Sequence, residues 1–347
     1  MAGGSNGRID IRKTSQDSAE VRAFSQVWIN LADERLGAQV IEVSDEFYAP
    51  AQRLLNPKPA NYYFHDEEGM RWVDGWETAR RRQEGHEHCV IRLGRRGRIG
   101  AMVFDTSFFT GNFPVGVELA ACDVQGAPDA DTAWTPLTGF VQLAGDAQRL
   151  IETDVPGAFT HVRLHLHPDG GMARLRVFGR VDTTTLGQGG ALVDLAALEN
   201  GGRVIGCNDN HFGSAVAMIA PGPSVAWGKG WETRRRREPG HDWAVIALAR
   251  PGQIESVLVD TKYYLANQPQ AFSLQAACVA SEAPDELTLN QSMFWPALLD
   301  AQALCGGSVL QVDQGLAHLG NVTHVRLNIF PDGGVTRLRL WGRAATR

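Results

Sequence analysis

The sequence predicts an all-β protein: two tandem, homologous β-sandwich domains of jelly-roll type with few short helices. Three observations lead there. One stretch is spelled twice, Gly75-Trp76-Glu77-Thr78 with Arg80-Arg81-Arg82 and Gly85-His86, then Gly230-Trp231-Glu232-Thr233 with Arg235-Arg236-Arg237 and Gly240-His241. Residues 76–93 and 231–248 align without a gap at an offset of 155 residues, a period too long for a solenoid and suited to two domains with separate cores. Between these motifs run short apolar stretches punctuated by Gly, Pro and Asn every ten residues or so, the pattern of antiparallel strands.

In order, residues 1–24 are polar, lack the apolar core of a signal peptide, and are expected to form a mobile tail. Residues 27–36 have helical spacing, with Trp28, Leu31 and Leu36 as contacts. A strand starts at residues 40–43 and runs into Ser44-Asp45-Glu46, and residues 56–69, with two Pro and a Gly, read as loop. Strands follow at residues 88–93, 99–105, 115–122, 161–166 and 174–178. In the last, Arg174, Arg176 and Phe178 share one face and Leu175 and Val177 the other, which predicts a half-buried strand. Residues 182–190, rich in Thr and Gly, are the linker between repeats at 25–181 and 191–347. Residues 193–198 are expected to repeat the opening helix. The second half then returns the first: His161-Val162-Arg163-Leu164 with Pro168-Asp169-Gly170-Gly171 reappears as His324-Val325-Arg326-Leu327 with Pro331-Asp332-Gly333-Gly334.

A net charge of −6 argues against a nucleic-acid surface despite the arginine runs. No apolar run approaches the roughly 20 residues of a membrane helix. Five widely spaced cysteines without a C-x-x-C pair read as small buried thiols of a reduced, cytoplasmic compartment, with Cys122 and Cys278 inside apolar runs.

Chemistry concentrates in few places. Glu77 and Glu232 each follow a tryptophan and precede three arginines. In extended geometry Trp76, Thr78, Arg80 and Arg82 would share one face, with Glu77 and Arg81 on the other. A carboxylate beside a desolvating indole can serve as acid or base, but a Glu–Arg staple under a Trp lid fits equally. His86 and His241 end the arginine loops and could shuttle protons near neutrality, or merely cap those loops. His161, His165 and His167 share strand parity and could bind a metal, yet the second half has His324, Asn328 and Phe330 there. His86-x-His88 likewise becomes His241-x-Trp243. A metal site common to both halves is thus excluded at those ligands, leaving only the first half as a place for one, and no metal or cofactor is assigned. The aspartates of the Pro-Asp-Gly-Gly turns read as turn formers. The run from Asp105-Thr106 to Gly111-Asn112 can present hydrogen-bonding groups at a sandwich rim.

At these residues the sequence resembles the allantoicase family. The stretches that carry the likeness are Val43-Ser44-Asp45-Glu46-Phe47, Asp74-Gly75-Trp76-Glu77-Thr78, Gly85-His86, the run from Asp105 to Pro114, and the two Pro-Asp-Gly-Gly turns. The resemblance spans about Val27 to Arg343 and is duplicated. It implies two galactose-binding-like jelly-roll repeats and hydrolysis of allantoate to (S)-ureidoglycolate and urea in purine (allantoin) breakdown, by a homo-oligomer without cofactor. Three departures stand out: Ala79 where the second half has Arg234, Glu87-His88 where it keeps Asp242-Trp243, and Lys262 to Asn267 in place of the Gly111-Asn112 bend.

A site for allantoate needs a cation for its carboxylate, acceptors for ureido N–H groups, and a proton donor for the departing urea. The matching residues are Arg80 and Arg82 for the carboxylate, Asp45, Asp105 and Asn112 for the ureido groups, and Glu77 or His86 for the proton. Trp76 and Thr106 join them as binding residues. Glu232, His241, Asp209, Arg235, Arg237 and Asp260 are the counterparts in the second half. If Gly111 were left-handed, Ala266 would force a different bend, and Ser44-Asp45-Glu46 becomes Asn208-Asp209-Asn210 with one carboxylate fewer, so the first half is expected to hold the better-formed pocket, the alternative being a site at the seam that draws on both halves. The rival is a noncatalytic tandem binding module, which would not require Glu and His in both halves.

Overall fold

The computed structural model describes residues 10–64, 71–223 and 229–345, which separate into one compact unit ending at Asp182 and a second starting at Thr183. In the first unit everything hangs on one strand, Glu87–Asp105. Its first half pairs with Gln39–Val43 on one side and Phe159–His167 on the other, and Gly116–Cys122 pairs beyond that. Its second half pairs with Gln148–Glu152 and Arg174–Val181, with Ile29–Asn30 at the edge. The strand therefore bends from the first of these sheets, the front one, into the second, the back one, and the core of Ile91, Phe104, Leu164 and Leu175 fills the space between them. The second unit repeats the plan around Asp242–Asp260, which joins Arg203–Cys207 and Val322–Phe330 to Val309–Val312 and Arg337–Ala344.

Residues 88–93 and 99–105, expected as two strands, are one. Gly94 and Gly97 do not break it; they let it pass close to its neighbours. A Cβ at Gly97 would meet the Arg180 carbonyl at 2.5 Å, and one at Gly94 would meet Leu36 at 2.5 Å.

The helix expected at residues 27–36 lies earlier, at Ala19–Val27, capped by the Ser18 hydroxyl. Leu31 and Leu36 are buried and Trp28 is half-buried, but no α-helix carries the three. Asn30 joins the back sheet, its side chain accepting from the Val177 N–H at 2.8 Å, and a 3-10 turn at Glu34–Leu36 follows. Residues 193–198 fail as a helix in the same way, giving a strand at Leu192–Asp194 and a turn at Leu198–Asn200. Part of the expected tail is ordered, since Asp10–Thr14 pairs with Asn61–Phe64, inside the expected loop. Residues 1–9 and 65–70 lie outside the described residues.

The strand Arg174–Val181 is buried on both faces, not half-buried. Carbonyls of Asn56, Lys58 and Pro59 wrap the Arg174 and Arg176 guanidiniums, and Arg174 meets Asp74 at 2.5 Å. All five cysteines are free; Cys89 and Cys122 are buried, whereas Cys278, just past its strand, and Cys305 are exposed.

Candidate active site

The doubled motif lies at the end of each sandwich. Trp76–Glu77 forms a two-residue strand against Gly171–Met172, and Glu77 also bridges to Ala49. Alternation then sends Trp76 fully into the core and Glu77 outward. The indole is no lid over Glu77; its N–H donates to the Asp45 carbonyl at 2.8 Å. Glu77 instead pairs with Asn112, whose side-chain amide donates to Oε1 at 2.7 Å. Asn112 is held in turn by the Gly171 N–H, which donates to its carbonyl at 2.6 Å.

Regular strand ends at Glu77, so the expected alternation of the arginines does not continue. Arg81 folds back and its guanidinium meets buried Glu87 at 2.5 Å. The staple is Arg81–Glu87, not Glu77. Gly85 has φ +126, and a Cβ there would strike the Arg81 guanidinium at 2.7 Å, which explains a glycine before the histidine. Asp169 is more than a turn former, because its Oδ2 accepts from the Arg81 N–H at 2.7 Å and ties the turn to the arginine loop. Arg80 and Arg82 remain exposed and make no side-chain hydrogen bond or ion pair among the described residues.

The second unit rebuilds each contact. Asn267 donates to Glu232 Oε1 at 2.6 Å, Arg236 meets Asp242 at 2.7 Å, Asp332 accepts from the Arg236 N–H at 2.7 Å, and Trp231 donates to the Asp209 carbonyl at 2.7 Å. Arg235 and Arg237 are exposed like Arg80 and Arg82. The bend gives no ground for a poorer second pocket, since Gly111 is not left-handed and nothing lies within 4 Å of a Cβ built on it. Ala266 fits the same bend.

Several expected binding residues hold the scaffold instead. Both Asp105 oxygens are engaged, by the Ser107 N–H at 2.8 Å and the Gln148 amide at 3.0 Å, and the side chain is buried. Asp260 is buried and accepts from the Lys262 N–H. The Thr106 hydroxyl bonds the Ala144 and Ala147 carbonyls. Asp45 Oδ1 caps the Ala79 and Phe47 N–H groups, and Asp209 does likewise for Arg234 and His211. Where Ala79 stands in the first unit, Arg234 pairs with Asp209 and Glu238 in the second.

His86 and His241 face the front sheet rather than the glutamates. His86 Nε2 lies 2.8 Å from His165 Nδ1, and His241 Nε2 lies 3.1 Å from Asn328 Oδ1. Burial pushes the imidazole of His241 below its ordinary pKa, and burial with the neighbouring His86 and Arg163 pushes His165 down to about 4. His161 stands apart, buried and bonded to the Thr160 hydroxyl. Among the described residues, no group of three or more His, Cys, Asp or Glu side chains is placed to hold a metal ion. Glu118, 3.1 Å from His167, carries no signal in the sequence, being a lone acid in an apolar strand.

The sequence profile described as Allantoicase repeat matches the chain twice, at residues 29–182 and 193–345. The chain is 50% identical over 328 residues to Probable allantoicase 2 of Burkholderia pseudomallei, covering 93% of this chain and 97% of that one. Probable allantoicase of Photobacterium profundum is 45% identical over 320 residues, covering 91% and 96%. The crystal structure of allantoicase from Saccharomyces cerevisiae matches with a TM-score of 0.77 at 28% identity, covering 96% of this chain and 100% of that one.

Proposed function

The chain belongs to the allantoicase family, whose reaction splits allantoate into (S)-ureidoglycolate and urea, and we propose that each repeat performs it with its own glutamate–asparagine pair. Allantoate carries one carboxylate and two ureido groups on a single carbon. Hydrolysis breaks one bond from that carbon to nitrogen. The oxygen of water ends on the carbon as hydroxyl, and one of its protons ends on the departing urea nitrogen. Urea anion is a poor leaving group, so delivery of that proton is the central requirement, and such transfer contributes about 10²–10⁴-fold.

Glu77 and Glu232 fit that task. Asparagine fixes Oε1 of each, while Oε2 accepts no hydrogen bond among the described residues. The free oxygen takes the proton from water as it adds and passes it to the leaving nitrogen. Asn112 and Asn267 keep a carbonyl oxygen and a second amide hydrogen for the ureido group. The unpaired Arg80 and Arg82, with Arg235 and Arg237, supply forks for the substrate carboxylate, each contact contributing roughly 1.5–3 kcal/mol. Asp45, Asp105, Asp209 and Asp260 hold loops and make no substrate contact in this scheme.

The observation that carries the reading is the recurrence of one geometry, Glu held by Asn beside unpaired arginines, at the same place in both repeats. Purified protein incubated with allantoate is expected to release urea, with glyoxylate appearing through ureidoglycolate. The double variant Glu77→Gln/Glu232→Gln is expected to fold and lose about 10²–10⁴ in turnover. Wild-type protein that releases no urea sinks the substrate assignment; a double variant with unchanged turnover sinks only the glutamates.

A further inference from the structure

In both repeats an aromatic residue stands in water beside the site glutamate. Tyr48 and Phe212 hold the same place in the duplicated plan and are 62% and 63% exposed. Each is fastened to its glutamate through the backbone. The Tyr48 and Ala49 N–H groups both donate to the Glu77 carbonyl at 3.1 Å, and the Phe212 and Gly213 N–H groups both donate to the Glu232 carbonyl at 3.1 Å. Two residues therefore oppose one, the arrangement of a β-bulge, which breaks strand alternation and re-aims the extra side chain. Here Ala49 is buried, and the ring beside it stands out at the rim with Glu77.

The rest of the loop is held as firmly. Asp45 accepts from the Phe47 N–H through Oδ1 and from the Trp76 indole through its carbonyl, and Asp209 does both for His211 and Trp231. On each loop the preceding ring packs edge-on against the exposed one. Phe47 meets Tyr48 with centroids 4.9 Å apart and planes at 87°; His211 meets Phe212 at 4.5 Å and 89°. What the repeats share here is the ring and not its polar atoms, since Tyr48 carries a hydroxyl that Phe212 lacks. Large apolar rings left in water at one place in both repeats are not a demand of the core. A hydrogen-bonding role would not survive the exchange of Tyr for Phe; a role for the flat face does.

We propose that Tyr48 and Phe212 are specificity-determining residues, each ring face carrying the planar ureido group that stays on the central carbon of allantoate. The inference rests on the glutamate–asparagine reading. In that reading one ureido group departs at Glu77 or Glu232 and the carboxylate goes to the exposed arginines, so the second ureido group still lacks a partner. A ureido group is flat and conjugated, polar at its edges and poorly hydrated on its faces. An aromatic face accepts such a group, as it accepts the faces of nucleobases, and leaves the edges free for hydrogen bonds. An acid with a single ureido group gains nothing from the ring, which is how the ring discriminates. Phe47 and His211 act through their neighbours and are positioning residues.

The test is steady-state urea release by the full-length chain with allantoate varied. Tyr48→Ala/Phe212→Ala should raise KM by about 3–10-fold with kcat little changed, the mark of lost binding common to ground state and transition state. Tyr48→Leu/Phe212→Leu, which keeps apolar bulk without a flat face, should raise it likewise. Exchange of the rings, Tyr48→Phe/Phe212→Tyr, should rescue the low KM. Ureidoacetate, with a carboxylate and one ureido group, serves as competitive inhibitor; its inhibition constant should be the same in wild type and in the alanine variant. A constant that rises in step with KM overturns the assignment to the second ureido group. An unchanged KM with an altered sedimentation coefficient assigns the rings to contact between copies and overturns it too. Wild-type protein that releases no urea sinks the underlying reading and this one with it. An active wild type whose KM ignores the loss of both rings overturns this inference alone.

Discussion

The two repeats agree at the end of the sandwich and disagree on the outer face of the front sheet. Glu77–Asn112 and Glu232–Asn267 differ by only 0.1 Å in their hydrogen bond. The adjoining faces diverge from four histidines to a Trp, Asn and Phe around one retained histidine. Beside the second face a short helix, Asp285–Gln291, leads into a turn whose Ser292 accepts from Arg326 at 2.7 Å. Duplication thus preserved the groups that converge at the rim and left the sheet surface free to change. The geometry shared at the rim and the composition private to each face can therefore be perturbed separately.

The largest expected effect breaks the equality of the rims. Because each glutamate has the same partner, Glu77→Gln and Glu232→Gln should each remove about half of the chain's turnover at saturating allantoate, the double variant falling by 10²–10⁴. Steady-state urea release from the two single variants is the measurement. A severe loss from one and a negligible loss from the other would show that the matched pairs are not matched sites.

Much of this was legible in the sequence, and the misses have physical causes. The repeat located both glutamates, both Gly-His pairs and the Asp-Gly-Gly turns, since those residues are fixed by local backbone demands. Which arginine would pair was not legible. Alternation assigns Arg81 to the face of Glu77, but the strand stops there and the chain curls so that Arg81 reaches Glu87. Asn267 is obscured in the sequence by the change from Gly111 to Ala266, although the bend does not use the conformational freedom of that glycine. Buried Arg174 and Arg176 look like a solvent face by pattern, because their partners are carbonyls from residues over a hundred positions away.

That burial supplies the next contrast. Arg174 and Asp74 form a buried ion pair in the first unit, while the position matching Asp74 is Lys229, exposed, in the second. Removing one partner of a buried pair typically costs about 3–5 kcal/mol. Asp74→Ala should therefore destabilise the first unit by that order and open its strands in hydrogen exchange. Lys229→Ala should stay within about 0.5 kcal/mol. Equal effects from the two would mean that Arg174 is satisfied by carbonyls alone.

Acid should separate the units further. Burial depresses His324 in the second unit to about 4, and its counterpart His161 is also lowered by burial; His165, down to about 4, has no counterpart. A histidine whose folded pKa lies below its unfolded value stays neutral in the native state while the unfolded chain takes up a proton. Stability from such a group is present above about pH 6.5 and is lost as pH falls towards 4. The loss is at most about 1.4 kcal/mol per pH unit for each group. Thermal unfolding between pH 7 and 5 should weaken the first unit more, and His165→Asn should narrow the gap. A gap unchanged by that substitution would assign the acid sensitivity elsewhere.

The smallest effect is the sharpest test of the shared bend. Gly111 has no left-handed backbone and no atom near a built Cβ, so Gly111→Ala meets neither strain nor clash. By restricting the unfolded chain it should stabilise the first unit by about 0.4–1 kcal/mol. The hydrogen bond from Asn112 to Glu77, and with it turnover, should stay as it is, because Ala266 already precedes Asn267 in the second unit. Gly85→Ala is the opposite case: its φ of +126 and the Arg81 guanidinium 2.7 Å from the new Cβ both oppose it. That variant should lose at least about 1 kcal/mol and disturb the Arg81–Glu87 pair. Chemical denaturation of the two variants side by side gives the answer. If Gly111→Ala proves the more damaging, the bends of the two repeats differ and the equality of their rims goes with them.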